Sequence, residues 1–414
     1  MYNIVFFLIV LFIVADYVLE RVLAWLNAKQ IGIPIPAVLA GVYDNDKYIK
    51  QQKYSFVNNK FGIYTSSFNV LLLLIMFILG LFGFIDEALR VYIDNDILLT
   101  LAFFGVLFLA NDVLNFPFDY YQTFVIEEKF EFNKMTKKLF FVDKIKGIFL
   151  AVLMGGVVLS VITLIYQWLP DFFWLLAWAV LAFLSIFLMM FYSEWIVPLF
   201  NKQTPLEEGE LRTKIEEFSQ KADFDLVNVY VIDGSKRSTK ANAYFSGLGA
   251  KKRIVLYDTL IQELTPDEIV AVLAHEIGHY KKKHTMMMLA VSLFNSAVMF
   301  AVLGWFLGNP LIATALGSSE SSFHLGLLAF GILYSPVSTV LSMGVNVLSR
   351  KNEYEADAYA AQFGLAEHLI IALKKLSAKS LSNLQPHTAY VFVHYSHPTL
   401  LQRINALTNN THVS

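Results

Sequence analysis

Two histidines stand four residues apart, with a glutamate between them, in the segment AVLAHEIGHYKKKHTMMM, residues 271–288. On a helix, His275 and His279 lie on one face one turn apart, so both imidazoles can bind a single metal ion. Glu276 is offset from that face and can act as general base on a water at the metal. This HExxH pattern indicates a zinc hydrolase site, although the same five letters also occur by chance when no suitable helix carries them.

A catalytic zinc needs a third protein ligand and an open position. The chain contains no cysteine, so the ligand has to be His, Asp or Glu. In the helix-like segment SRKNEYEADAYAAQFG (349–364), Glu353 and Asp357 share a face, whereas Glu355 points elsewhere. We predict Glu353 as the ligand and Asp357 as hydrogen-bond acceptor for a ligating histidine. The plainer alternative is a solvated acidic start of a helix.

The C-terminal segment HYSHPTLLQRINAL supplies two further candidates. His397 and Arg403 could polarise a substrate carbonyl, stabilise an oxyanion or orient Glu353. Four other histidines are interpreted as structural: His284, His324, His387 and His394.

The helix that must carry His275 has an explicit start signal. Thr265 can be its N-cap, Pro266 sits at the first helical position, and Glu268 completes a capping box. In the preceding residues, a helix is predicted in PLEEGELRTKIEEFSQKADF, a strand in VNVYVIDGS, and two strands around a glycine-containing turn in NAYFSGLGAKKRIVLYDTLI.

The composition places this segment in a membrane protein. Hydrophobic residues make up 56% of the 414 residues and charged residues only 16%, against about 25% charged in soluble domains. The net charge of -2 leaves no basic footprint for nucleic acid. We predict a mostly α, polytopic fold with seven spans, at about 3–25, 68–90, 96–118, 147–169, 172–198, 285–308 and 323–348.

Lysine distribution sets the predicted orientation. Lysines cluster after the first and third spans, and the opposite loops are nearly bare, so the N-terminus is expected outside and the catalytic segment in the cytosol. The predicted regions are a bundle of five spans (1–200), a cytosolic metalloprotease segment (201–284), a hairpin of two spans (285–348) and a C-terminal helical segment (349–414). The hairpin would return Glu353 to the face that holds His279.

Several predicted spans contain polar residues, which are costly in lipid. They are Asp16, Glu20, Arg21, Asn111, Asp112 and Glu194. Two interpretations stay open, namely pairing between helices and a hydrated interior cavity.

The motifs HEIGH, EYEAD and HPTLLQR, together with EEKFEFNKMT (127–136), VPLFNKQTPLEEGEL (197–211) and NAYFSG (242–247), resemble the Ste24-type CAAX prenyl proteases of the M48 zinc peptidases. The resemblance implies seven helices around a water-filled chamber and a gluzincin-like zinc region. It implies one Zn²⁺ per chain, held by His275, His279 and Glu353, with Glu276 as base. It also places His397 and Arg403 in the active site and Asn242 beside the substrate cleft, where His397 and Asn242 would position the substrate and stabilise the oxyanion.

The same resemblance implies a partner and a location. The substrate would be a lipidated C-terminal peptide or protein, cut after its prenylated cysteine and reached from membrane lipid. The chain would be a multi-pass membrane protein, of the inner or plasma membrane if its source is bacterial, with its active site on the cytosolic side.

Three other classes of protein share some of these features. An HtpX-like quality-control peptidase would use the same ligands on unprenylated substrates. A site-2 type protease would bury HExxH inside an apolar span, and the charged start of the helix argues against that. A transporter or lipid-binding receptor would use the polar spans without hydrolysis, and the intact base and ligand set argue against that class.

Overall fold

The computed structural model describes residues 2–224, 228–247 and 253–411. Within these ranges the chain is predominantly helical, with one small β-sheet. The α-helices are α1 (Ile4–Ala28), α2 (Asn45–Ile78), α3 (Leu81–Arg90), α4 (Asp96–Tyr121), α5 (Lys137–Trp168), α6 (Phe173–Phe191), α7 (Glu210–Lys221), α8 (Asp258–Glu263), α9 (Pro266–Lys281), α10 (His284–Phe306), α11 (Pro310–Ala315), α12 (Phe323–Leu333), α13 (Ser335–Gln362), α14 (Ala366–Lys379), α15 (Thr388–His394) and α16 (Leu400–Thr411). The strands are β1 (Gln203–Pro205), β2 (Val229–Ile232), β3 (Ala243–Ser246) and β4 (Arg253–Tyr257).

Five helical segments in the described chain are long and apolar enough to cross a membrane. They are Asn45–Ile78, Asp96–Glu127, Lys137–Trp168, Pro170–Leu199 and His284–Phe306. α12 and α13 make a sixth if the 51° bend between them lies within one span. α1 has sufficient length, but its three charged residues keep it out of this count. The described chain therefore forms a multi-pass bundle of five or six candidate spans, fewer than the seven predicted from the sequence.

The helices that contain two of the predicted spans begin well before the apolar stretches from which those spans were predicted. The span predicted at 68–90 is divided between α2 and α3, which separate at Gly80, where φ is 65°. α2 begins far upstream, because the Asp44 carboxylate accepts a hydrogen bond from the Lys47 amide and caps the helix. α5 likewise begins before the predicted start at 147. Hydropathy detects only the apolar part of each helix, whereas capping extends it into polar residues.

α1 packs inside the bundle despite its charges. Its Phe6 and Ile9 belong to one buried apolar cluster with Phe77 of α2, Phe103 of α4 and Leu325 of α12. This packing ties the first helix to the last apolar hairpin of the chain.

Charged residues on the apolar helices have partners on neighbouring elements. Lys144 of α5 lies 2.7 Å from Asp112 and 2.8 Å from Asp119 of α4. Glu20 of α1 lies 3.5 Å from the Nε2 atom of His394. These contacts show pairing between elements, and the side chains of Asp119 and Glu20 remain 50% and 40% exposed.

The β-sheet has the strand order β1-β2-β4-β3 among the described residues. β2 and β4 are parallel, and the two outer pairings are antiparallel. The three predicted strands correspond to β2, β3 and β4. The glycine-containing turn predicted between the last two falls in part on residues 248–252, which lie outside the described residues. β1 has only three residues, too few for a visible alternation pattern. β3 lies at the edge of the sheet.

The core of the soluble region lies between the sheet and the helices that pack against it, with α9 at its centre. Ile254 and Leu256 of β4, Ile215 of α7, and Ile269 and Leu273 of α9 belong to one buried cluster, to which α14 also contributes. Burial of each such side chain contributes about 1.5–3 kcal/mol. The cluster holds α9, and with it the HExxH residues, in a fixed position.

Candidate metal centre

α9 begins where the sequence predicts. The Glu268 amide donates a hydrogen bond to Oγ1 of Thr265, and the Thr265 amide donates one of 2.9 Å to Oε2 of Glu268, so the predicted capping box is confirmed. Lys375 of α14 adds an ion pair of 2.7 Å to Glu268. The start of the helix is thereby anchored to the soluble core.

Three ligand-type side chains meet between α9 and α13. The Nε2 atoms of His275 and His279 lie 3.2 Å apart. Glu353 places Oε2 at 3.4 Å from Nε2 of His275 and Oε1 at 3.2 Å from Nε2 of His279. One ligand atom from each of the three residues lies within 4.8 Å of the others. The apolar hairpin thus returns the chain to the HExxH helix, and α13 carries Glu353 as a direct continuation of that hairpin.

A glycine sets the distance between these two helices. A Cβ atom at Gly278 would lie 3.1 Å from Cβ of Tyr359 and 3.2 Å from both Cα and the carbonyl oxygen of Ala356. A glycine allows this close backbone approach because it has no side chain. The glycine inside HEIGH therefore lets Glu353 come within reach of the two histidines.

The donor set fits a metal ion of the zinc type. Two imidazole nitrogens and one carboxylate oxygen are the protein ligands of many catalytic zinc sites. Glu353 is buried, and its Oε2 atom makes no hydrogen bond to the part of the chain that the structure describes. This oxygen has only longer contacts, to Nε2 of His275 at 3.4 Å and Nη1 of Arg403 at 3.6 Å. A buried carboxylate oxygen without a hydrogen bond is unfavourable, and a cation held between it and the imidazoles would satisfy it.

Asp357 and Arg403 lie directly behind His275. Oδ1 of Asp357 is 2.9 Å from Nδ1 of His275, and Arg403 donates two hydrogen bonds to the same carboxylate. Burial and the Arg403 guanidinium oppose protonation of His275, but the adjacent carboxylates of Asp357 and Glu353 outweigh them and raise its pKa to about 9. Asp357 has the geometry predicted for it, on the outer nitrogen of a ligand-type histidine.

His397 and Arg403 both approach Glu353. Nε2 of His397 is 3.2 Å from Oε1, and Nη1 of Arg403 is 3.6 Å from Oε2. The side chain of Arg403 is only 11% exposed, whereas that of His397 is 63% exposed. Both residues contact Glu353 directly, as a role in orienting that side chain requires. Only His397 is exposed enough to reach a substrate as well.

Glu276 and Asn242 occupy different parts of the site. Glu276 follows His275 on α9 and is half-buried. Asn242 directly precedes β3 and lines a cavity of about 540 Å³ together with Tyr244 and Tyr257. Within the described chain, Asn242 makes no contact with the ligand-type residues, so the structure places it beside a cleft rather than in the metal centre.

Two residues that were assigned no role lie beside His279. His284 is buried at the start of α10, with Nδ1 at 3.1 Å from Nδ1 of His279 and Nε2 at 3.1 Å from Oε2 of Glu355. His284, interpreted from the sequence as structural, thus contacts a ligand-type residue, and Glu355 points away from the ligand group toward His284. Helical periodicity could not predict the contact, because the chain turns at Lys283, where φ is 59°.

The remaining histidines interpreted as structural have partners elsewhere. His324 lies 2.7 Å from Asp86, His387 caps α15 by accepting a hydrogen bond from the Ala389 amide, and His394 faces Glu20. None of these contacts involves a ligand-type residue of the described centre.

Comparison with known proteins identifies the family. Residues 25–202 match the family described as CAAX prenyl protease N-terminal, five membrane helices, and residues 205–411 match peptidase family M48. The chain belongs to peptidase family M48. This M48 peptidase is 34% identical to CAAX prenyl protease 1 of Saccharomyces cerevisiae, over 96% of the chain and 93% of the relative. It is 36% identical to the CAAX prenyl protease 1 homolog of Arabidopsis thaliana, over 96% of both.

The fold agrees with this membership. The crystal structure of S. mikatae Ste24p matches the M48 peptidase with a TM-score of 0.91 and 34% identity, covering 98% of this chain and 99% of that one. The resemblance drawn from the sequence motifs is thus confirmed. The protein is a multi-pass membrane metallopeptidase, and among the described residues His275, His279 and Glu353 form a group that could hold a metal ion.

Proposed function

We propose that this M48 peptidase is a zinc-dependent endopeptidase that cuts after a prenylated cysteine and releases the C-terminal tripeptide of its substrate. The observation that carries the proposal is the meeting of His275, His279 and Glu353 around one point, with Glu276 on the same helix as the two histidines. Support for the substrate class comes from the relatives in yeast and Arabidopsis, which are named CAAX prenyl protease 1.

Different residues of the site would carry out different steps of peptide-bond hydrolysis. One zinc ion, when bound by the three ligands, polarises the scissile carbonyl and lowers the pKa of a water toward about 7. Glu276 accepts a proton as the water oxygen bonds to the carbonyl carbon, and returns it to the leaving nitrogen as the C–N bond breaks. His397 donates a hydrogen bond to the developing oxyanion, and Asn242 holds the substrate backbone.

The substrate would lie along the edge of the sheet. β3 is one of the two edge strands of the sheet, and an extended peptide can add to such an edge through backbone hydrogen bonds. The cavity of about 540 Å³ beside β3 is also lined by Leu188, Met189 and Tyr192. These side chains would give the lipid-modified part of a substrate an apolar surface beside β3.

The proposed membrane arrangement has seven spans around a hydrated chamber, with α1 as the first. Its burial against α2, α4 and α12 supports this assignment. A cavity of about 320 Å³ between α10 and α13 has a mixed lining, in which Asn295, Ser296, Ser342 and Asn346 accompany Met299, Leu341 and Val345. The lysine distribution supports an external N-terminus and a cytosolic active site.

The decisive experiment combines metal analysis with cleavage of matched farnesylated and unmodified peptides by the full-length protein in detergent. Wild type is expected to contain zinc and to cleave the farnesylated peptide preferentially. Glu276→Gln is expected to keep zinc and lose cleavage, whereas Glu207→Gln, an exposed glutamate in the soluble region, controls for the change in charge.

Each alternative outcome has a meaning. Full activity of Glu276→Gln would overturn the assignment of the base. Equal cleavage of both peptides would indicate the broader quality-control activity, and zinc retention without any hydrolysis by wild type would indicate a non-catalytic receptor.

A further inference from the structure

We propose that His284 and Glu355 are positioning residues that fix the ring of His279 for metal binding through a two-step hydrogen-bond relay. This inference rests on the proposed zinc function. It concerns residues outside the HExxH motif, on the first turn of α10 and the exposed side of α13.

The first step follows from which nitrogens face the centre. The Nε2 atoms of His275 and His279 point toward each other and toward Glu353, so these are the nitrogens available to a metal. A neutral imidazole that binds metal through Nε2 carries its proton on Nδ1. Nδ1 of His279 must therefore donate, and Nδ1 of His284 at 3.1 Å is the acceptor in place.

The second step follows from the first. If His284 accepts at Nδ1, its own proton sits on Nε2. That nitrogen lies 3.1 Å from Oε2 of Glu355, which can only accept when it is ionised. Every donor in the chain from His279 through His284 to Glu355 thus meets an acceptor, and the tautomers of both rings are determined.

The relay makes the two ligand histidines asymmetric. His275 is held directly by Asp357, which is 1% exposed, whereas His279 is held through a histidine by Glu355, whose side chain is 41% exposed. Two carboxylates on the same helix therefore orient two ligands from different depths. The contact from Glu355 through His284 to His279 is thus more exposed to solvent than the contact from Asp357 to His275.

The backbone is shaped to allow the contact. α9 ends at Lys281, and the residue before His284, Lys283, adopts a left-handed conformation with φ of 59°. Non-glycine residues adopt this conformation at a cost. The sharp turn brings the His284 ring across the end of α9 to His279, with their ring centroids 5.1 Å apart.

The test measures zinc affinity by chelator competition on the full-length protein in detergent. His284→Phe fills the same buried space without an acceptor, whereas His284→Asn keeps an oxygen near the position of Nδ1. We expect His284→Phe to lower zinc affinity about 10- to 100-fold and His284→Asn to recover most of that loss. Thermal unfolding of the metal-free variants reports whether either substitution disturbs the fold.

A matched control separates positioning from general damage. His324→Phe also removes a buried histidine that contacts a carboxylate, Asp86, but away from the metal centre. It is expected to lower thermal stability and leave zinc affinity unchanged. If His284→Phe does not fold, Glu355→Ala against Glu355→Gln tests the outer half of the relay, with weaker zinc binding expected for alanine.

The outcomes distinguish this inference from the proposed function. Equal zinc affinity of wild type and His284→Phe, or equal losses in the Phe and Asn variants, would overturn the relay while leaving the peptidase assignment intact. In the second pair, equal affinity of Glu355→Ala and Glu355→Gln would do the same. Absence of zinc binding by wild type would overturn both.

Discussion

Arg403 of α16 and Asp357 of α13 form a two-point ion pair, with Nε at 2.9 Å from Oδ2 and Nη2 at 2.5 Å from Oδ1. The same carboxylate also contacts His275. Arg403 therefore acts on the metal centre through Asp357 and Glu353. Its burial leaves it poorly placed to touch a substrate, so we assign it a positioning role.

Replacement of Arg403 by leucine is expected to destabilise the protein by about 3–5 kcal/mol, because it leaves the buried carboxylate of Asp357 without its countercharge. The measurement is the free energy of unfolding of the metal-free protein. Arg212→Leu is the control, since Arg212 makes surface ion pairs, which are worth about 0–1 kcal/mol, and one hydrogen bond to the Leu206 carbonyl. Equal effects of the two substitutions would contradict the role given to Arg403.

Replacement of Gly278 by alanine should force α9 and α13 apart. The added methyl group would meet Ala356 and Tyr359, and overpacking of this kind typically costs about 1–3 kcal/mol. Because Glu353 lies on α13, zinc affinity should fall together with stability. Gly344→Ala is the control, because Gly344 lies on α13, as Glu353 does, but has open space around it. This variant should keep zinc affinity and stability near wild type. A Gly278→Ala variant that also stayed near wild type would refute the argument.

His397→Ala should affect the rate more than the binding of metal. His397 is exposed and contacts Glu353 from the solvent side, and loss of one oxyanion donor typically lowers kcat about 10²- to 10³-fold. The assay compares kcat, KM and zinc content with those of His368→Ala on α14. A loss of zinc that accounts for the whole loss of activity would show that His397 only orients Glu353.

Asn242→Ala should weaken substrate binding. Its side chain lines the cleft beside the edge strand β3, and loss of one hydrogen bond to a substrate costs about 0.5–1.5 kcal/mol, or roughly 2- to 13-fold in affinity. We expect a higher KM for the farnesylated peptide with zinc content unchanged. Asn228→Ala, at an exposed position, is the control. If Asn242→Ala had the same KM as wild type, that result would argue against a role of Asn242 in the cleft.

Much of the candidate site could be predicted because its signals are local. The capping box of Thr265 and Glu268, the shared face of His275 and His279, and the shared face of Glu353 and Asp357 each depend on spacing within one helix. The apolar hairpin before Glu353 then predicted which helix would meet the histidines. Span limits were less predictable, since α2 and α5 continue into polar residues that hydropathy does not detect.

The sequence by itself determined the family resemblance and the membrane class and predicted the ligand-type residues and the candidate base, because each depends on the spacing or composition of a short segment. Only the tertiary structure decided that Arg403 supports Asp357 and that His284 and Glu355 lie behind His279. These contacts join segments separated by turns or by many residues. Their geometry depends on how α9, α10, α13 and α16 pack, which no local pattern records.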